Sequence, residues 1–136
     1  MTTQSTSNVN DDENLFQRGD AMRRRVLGDA HVDRSRQNAT DFTRPLQELV
    51  TEYCWGEIWN RPGLDLPTRS LINIAMLTAL GKHEELQLHV RGAIRNGVTR
   101  DQIQEVLLQS AIYCGVPAAL EATRYAQATL DVIDSE

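Results

Sequence analysis

Glu85 and His89 stand four residues apart within residues 81–97, G-K-H-E-E-L-Q-L-H-V-R-G-A-I-R-N-G, a stretch that reads as one helix between two glycine stops. On a helix that spacing stacks the carboxylate and the imidazole on one face. Leu86, Val90, Ala93 and Ile94 surround the face with apolar side chains. A carboxylate can orient an imidazole and favour its protonated form, while burial pushes the other way. A histidine tuned near neutral pH is an efficient proton carrier. The same spacing also fits a plain helix-surface pair worth roughly a few tenths of a kcal/mol, and spacing alone does not decide between the two.

Other groups near this helix carry charge. Arg61, Arg69, Lys82 and Arg91 could hold the carboxylates of an anionic substrate, or serve as solvated helix ends and surface pairs. Arg91 lies two residues past His89 and so on another face. Trp55 and Trp59 suit either a pocket wall or core packing. The run H-E-E-L-Q-L-H is not a zinc-binding H-E-x-x-H. Six residues turn a helix by roughly 600°, which points His83 and His89 in different directions. With three histidines and two separated cysteines, no metal site is expected. There is no Gly-rich phosphate loop, G-x-S-x-G elbow or C-x-x-C.

The elements that must position these groups are helical. The chain has 136 residues, 40% of them apolar, enough for one domain with a modest core. Its net charge of −5 argues against non-specific binding to nucleic acid, which needs basic surface. Arg23-Arg24-Arg25 is the one basic cluster, and it reads as a solvated helix face. No run approaches the ~20 apolar residues of a membrane span, and the polar N-terminus has no signal-peptide core. Cys54 and Cys114, each in apolar context, read as packed, reduced thiols of a cytoplasmic protein.

Residues 1–14 lack the apolar surface that ordering requires and are expected as a polar, disordered tail before a single domain over 15–136. Residues 15–27 read as a helix stopped by Gly28, and 29–40 as a polar connection with a short helical turn. Residues 41–59 carry Leu46, Leu49, Val50 and Tyr53 at helical spacing, with Pro45 in the first turn. Asp65 is a candidate N-cap before Pro67. Residues 71–80, L-I-N-I-A-M-L-T-A-L, call for a helix buried on nearly all sides. So small a domain can bury such a helix by self-association. Thr99 and Gln102 spell a capping box. Ile103, Val106, Leu107, Ser110, Ala111 and Cys114 mark the face behind it, and a last helix spans about 117–134. The fold class is all-α, with about six helices.

Several blocks resemble the carboxymuconolactone decarboxylase family. They are L-G-D-A-H-V-D-R from Leu27, N-A-T-D-F-T-R from Asn38, W-G-E-I-W-N-R-P-G-L from Trp55 and T-R-S-L-I-N-I-A-M from Thr68. H-E-E-L-Q-L-H from His83, N-G-V-T-R from Asn96 and Q-S-A-I-Y-C-G-V-P-A-A from Gln109 continue the likeness. It covers about residues 15–133. The wider superfamily has the alkylhydroperoxidase-D-like helical fold, whose redox members carry C-x-x-C-x-x-x-H on the matching helix. Here Lys82 and Glu85 fill the two Cys positions, His89 the His position, and Ser70 corresponds to an upstream Glu.

The resemblance implies cofactor-free loss of CO2 from γ-carboxymuconolactone, giving β-ketoadipate enol-lactone in the protocatechuate branch of aromatic catabolism. It implies His89 and Glu85 as catalytic groups, Arg69, Lys82 and Ser70 as substrate-binding residues, and a homo-oligomer, expected as a hexamer. The alternative is a thiol-dependent, peroxidase-like redox protein of the same fold that uses Cys54 and Cys114.

Overall fold

The computed structural model describes residues 8–136, with side chains from Asn14. The described residues are all-α, as expected, and no helix among them is long and apolar enough to cross a membrane. They form two compact units, the first ending at Gly63 and the second running Leu64–Glu136. The division falls after Arg61-Pro62-Gly63, which the sequence marks only as a break between helices.

The first unit holds α1 (Asn8–Leu27), α2 (Asp29–Gln37) and α3 (Arg44–Leu49), the last running into a π-helical stretch, Val50–Ile58. Of the polar tail expected over residues 1–14, residues 1–7 lie outside the described residues, and from Asn8 the backbone is already helical. Once a helix is nucleated downstream, each added residue gains a hydrogen bond for little further ordering, so the start lies upstream of Leu15. Residues 29–37 are a full helix rather than a connection. Arg24 explains much of this, since its guanidinium donates to Asp20 and Asp29 at 3.1 Å each and to Asp33 at 2.8 Å, spanning the turn at Gly28. The Asp33, Asp29 and Asp20 carboxylates hold Arg24 above its usual range. Arg36 reaches back to Asp20 at 2.5 Å.

Arg23 departs from the expected solvated face. It is buried, donates from Nη1 to Gln47 Oε1 at 3.1 Å, and is pulled below the usual arginine range by burial and by Arg36, against the pull of Asp20.

The helix expected over 41–59 is broken up. Thr40 and Thr43 close a turn on one another's backbone N–H, α3 starts at Arg44 with Pro45 in its first turn, and from Val50 the turns widen. The Trp59 N–H bonds the Cys54 carbonyl, five residues back, at 3.0 Å. Leu46 and Leu49 are already exposed on α3, and along the wider turns Thr51, Trp55 and Gly56, with Trp59 just beyond, are buried while Tyr53 is exposed. Trp55 and Trp59 stack at 4.9 Å, and the Asn60 side chain closes the end by donating to the carbonyls of Trp55 and Gly56.

Two glycines let α1 approach the π-helical stretch. A Cβ on Gly19 would sit 1.8 Å from the Thr51 carbonyl oxygen and 2.9 Å from the Gly56 nitrogen. One on Gly56 would sit 2.6 Å from the Leu15 carbonyl oxygen. The backbones are in contact there and no side chain fits between them.

The second unit holds α4 (Leu66–Leu80), α5 (His83–Arg95), α6 (Arg100–Cys114) and α7 (Val116–Asp134). Asp65 caps α4 by accepting the Thr68 N–H at 2.9 Å, and a hydrogen bond from the Thr68 side chain, together with this one, holds its carboxyl below the ordinary range. Gly81, at φ 67°, takes the left-handed turn that ends α4. The Thr99–Gln102 capping box opens α6 as expected. Ile74, Leu86, Val90, Ala93, Ile103, Leu107, Ala122, Ala126 and Leu130 form the core. Each fully buried Ile or Leu contributes roughly 1.5–3 kcal/mol.

α4 is not buried all round. Ser70, Ile74 and Thr78 face inward, while Ile72, Met76 and Leu80 form an exposed apolar strip. Cys54 and Cys114 are both exposed rather than packed.

Gly19→Ala is expected to lower stability by about 1–3 kcal/mol or more through overpacking, although Ala favours a helix over Gly by about 1 kcal/mol. Gly63→Ala, with nothing within 4 Å of the added Cβ, is expected to be neutral. Urea titrations of both variants check the opposite behaviour.

Candidate functional site

α4 and α5 pack side by side and carry a polar seam between them. Its two rungs are side-chain pairs. Asn73 Nδ2 meets His89 Nδ1 at 3.4 Å, and Asn96 Nδ2 donates to Ser70 Oγ at 2.9 Å. Stepping forward on α4 from Ser70 to Asn73 corresponds to stepping back on α5 from Asn96 to His89, so the helices run antiparallel here. His89 is 9% exposed and Ser70 wholly buried. Buried polar groups of this kind need hydrogen-bond partners, and each helix supplies them to the other.

The residues singled out from the sequence fall on or beside this seam. His89 is in it, buried among Leu86, Val90 and Ala93 as the spacing led one to expect. Glu85 lies one turn earlier on α5, about 40° round the helix from His89, and is exposed. Ser70 is in the seam, where it accepts from Asn96. Arg69 is half-buried in the first turns of α4, four residues before Asn73 and so on the same side. Lys82 is exposed at the N-terminal boundary of α5, where Glu84 and Glu85 fill the first turn. The other two cations are engaged elsewhere. Arg91 donates to both carboxylate oxygens of Glu136, at 2.8 and 3.0 Å, and Arg61 reaches Glu57 at 3.5 Å.

Asn73 and Asn96 carry half of the seam, and sequence reading passes over both. A signal was present for Asn73, since an amide inside L-I-N-I-A-M has to be paired to be tolerated. Asn96 gave none, because Asn-Gly reads as a helix stop, which it also is.

By helical phase Met76 stands about 60° from Asn73 on α4. The exposed strip of Ile72, Met76 and Leu80 therefore runs next to the seam. A separate cavity of about 430 Å³ lies between α6 and α7, walled by Ile103, Leu107, Ala119, Leu120 and Leu130. Neither His89 nor Glu85 lines it. Of its charged residues, Arg100 is paired with Asp134. Its lining includes the Asp101 carboxylate but no imidazole.

His83 stands apart from the seam, its ring stacked on Tyr125 at 4.5 Å and its Nε2 3.0 Å from Glu121. Cys54 and Cys114 are free thiols. Burial pushes the Cys54 thiol up, against the smaller pull of Arg23 and a hydrogen bond with Trp59. That direction works against the thiolate which peroxidase chemistry needs.

The chemistry this seam can perform is donation. A sheltered imidazole held by an amide, with a carboxylate one turn away and cations nearby, can receive a small anion and stabilise negative charge as it develops.

Comparison with known proteins gives a consistent result. The model of the carboxymuconolactone decarboxylase family matches residues 44–128. The chain is 47% identical over 121 residues to a nitrosuccinic acid decarboxylase of Metarhizium robertsii, covering 88% of this chain and 85% of that one. It is 43% identical over 116 residues to the 4-carboxymuconolactone decarboxylase of Acinetobacter baylyi, covering 85% and 87%. An uncharacterised 15.0 kDa protein of Paracoccus denitrificans is 37% identical over 89 residues, 64% of this chain and 66% of that one.

Replacing Ser70 by Ala removes the acceptor of the Asn96 amide and is expected to cost about 1–2 kcal/mol of stability with the helical content unchanged. Urea unfolding followed by circular dichroism measures it.

Proposed function

The chain belongs to the carboxymuconolactone decarboxylase family, and on that premise we propose that this decarboxylase acts on γ-carboxymuconolactone, releasing CO2 and β-ketoadipate enol-lactone in the protocatechuate branch of aromatic catabolism. The observation that carries this reading is 43% identity to a 4-carboxymuconolactone decarboxylase along 85% of this chain and 87% of the other.

The carbon that loses CO2 is the γ carbon of an unsaturated lactone. The electrons of the breaking C–C bond run through the ring double bond onto the lactone carbonyl, giving a furan-2-olate-like dienolate. One proton added at carbon then yields the enol-lactone. The enzyme has to hold two carboxylates, stabilise the oxyanion and supply the proton. His89 and Glu85 catch the dienolate together. The sheltered imidazole gives a proton or a hydrogen bond to the dienolate, and Glu85 orients the ring. Arg69 and Lys82 hold the carboxylates, and Ser70 with Asn96 fixes the floor beneath them.

A second reading rests on the 47% identity to a nitrosuccinic acid decarboxylase. The two substrates share a pattern. In each, the carbon that bears the departing carboxylate also bears a carboxymethyl arm and is joined to an electron sink, an unsaturated lactone in one and a nitro group in the other. Loss of CO2 next to a nitro group leaves a nitronate, which asks the same of the site: an N–H for oxygen and a proton for carbon.

The exposed strip of Ile72, Met76 and Leu80 beside the seam supports self-association; the family resemblance leads us to read the assembly as a cytoplasmic homohexamer in which a neighbouring subunit closes the site.

Turnover of enzymatically generated γ-carboxymuconolactone, followed by CO2 release, is expected to exceed that of nitrosuccinate by at least about tenfold in kcat/KM, the equivalent of about 1.4 kcal/mol. The reverse preference would install the second reading, and no turnover of either would remove both. His89→Ala and Glu85→Gln are each expected to lower kcat by about 10²- to 10⁴-fold. Near-normal rates in both folded variants would take the chemistry away from this pair.

A further inference from the structure

We propose that the outer face of the α6–α7 hairpin is a two-fold interface with a second copy of this chain, its axis running along the two helices. The inference stands apart from the substrate assignment and from the exposed strip on α4.

α6 and α7 are joined by Gly115 alone, at φ 103°, and pack antiparallel. Arg100, fifteen residues before Gly115, donates to the Leu130 carbonyl, fifteen residues after it, at 3.3 Å. Residues equally far from the turn therefore stand at the same level. Leu108 and Ile112 on α6, and Val116 and Leu120 on α7, are each more than half exposed. Leu108, Val116 and Leu120 also line the cavity of about 430 Å³ between the helices, so groove and crests make one apolar surface.

The area matches one side of a dimer. At roughly 30 Å² per exposed apolar carbon, these four side chains offer about 300 Å². Tyr113, round the side of α6, adds more than half as much again. A stable dimer covers about 800 Å² on each partner, a little over half of it apolar. The hairpin holds that apolar share, and Gln104, Thr123 and Gln127 along the groove supply polar surface beside it.

Charge identifies the partner. By helical phase Glu105 lies about 20° round α6 from Ile112, and Arg124 about 40° round α7 from Leu120. Both are exposed, and neither is ion-paired among the described residues. They stand ten residues before Gly115 and nine after it, at one level on opposite flanks of the groove. A copy turned over about an axis along the helices lays its α7 on this α6. Glu105 then meets the partner's Arg124, and the symmetry makes the pair twice. An axis across the helices would instead lay α6 on α6 and acid on acid. The face is complementary to itself in one orientation, as an isologous dimer requires.

The test is the particle mass of the full chain by sedimentation velocity, with circular dichroism as the check on folding. The native chain is expected to be associated at about 100 μM, since interfaces of this size hold at micromolar concentration or below. Glu105→Arg and Arg124→Glu each set like charges together and are expected to weaken the contact by about tenfold or more, while the double reversal restores it to within about threefold of native. Ile112→Asp, which would bury an unpaired charge, is expected to weaken it by at least about 100-fold. All three positions are exposed, so the fold does not depend on them. A monomeric native chain would overturn the inference. So would native mass in Ile112→Asp, single reversals without effect, or single losses that the double reversal does not rescue. Met76→Ser probes the α4 strip separately. Mass lost there but kept in Ile112→Asp overturns the hairpin interface and leaves the strip. Mass lost in Ile112→Asp but kept in Met76→Ser does the reverse.

Discussion

A buried imidazole has to be hydrogen-bonded, and in this protein that need ties one helix to its neighbour. His89 gives up most of its contact with water, a cost that an apolar surrounding of Leu86, Val90 and Ala93 cannot offset. Asn73 meets His89 across the α4–α5 boundary, and the Ser70–Asn96 rung pairs a second set of polar groups across it. A slip of one helical turn between these helices would strand four polar side chains together, so the register of the pair is set by polarity as much as by packing. The apolar core fills the space behind the seam and gives the second unit its stability, while the seam decides which side chains face each other.

The first unit is held differently. Its central crossing has no side chain at all at the point of contact, where Gly19 and Gly56 bring two backbones together. Around it, charge is organised on a few arginines. Arg24 gathers three carboxylates at the surface, and Arg23 is drawn inside with Gln47. One unit thus has its tightest constraint at a bare backbone crossing and the other at a row of amides and a ring.

The sequence made the second unit largely legible. Asp65, Gly81, the Thr99–Gln102 box and the glycines before α6 and α7 are local signals whose chemistry acts within a few residues, and the structure uses them as written. The first unit was harder. Leu46, Leu49, Val50 and Tyr53 promise a buried stripe at 3.6-residue spacing, but the wider π-type turns bury Thr51, Trp55 and Trp59 instead, and nothing in the spacing announces a change of pitch. The helix Asp29–Gln37 looked like a connection because its support comes from Arg24, five residues and more away from Asp29 and Asp33. Around the candidate site, His89 and its apolar surround could be read from the chain. Its amide partner could not, because periodicity counts Asn73 as an interruption when it is half of a pair made across two helices.

The strip formed by Ile72, Met76 and Leu80 lies next to the polar seam, rather than on the far side of α4. A surface laid over that strip would also lie against the seam and strip water from it. Association and dielectric shielding would then be one event, and each site would strengthen its grip on an anion only once the strip is capped.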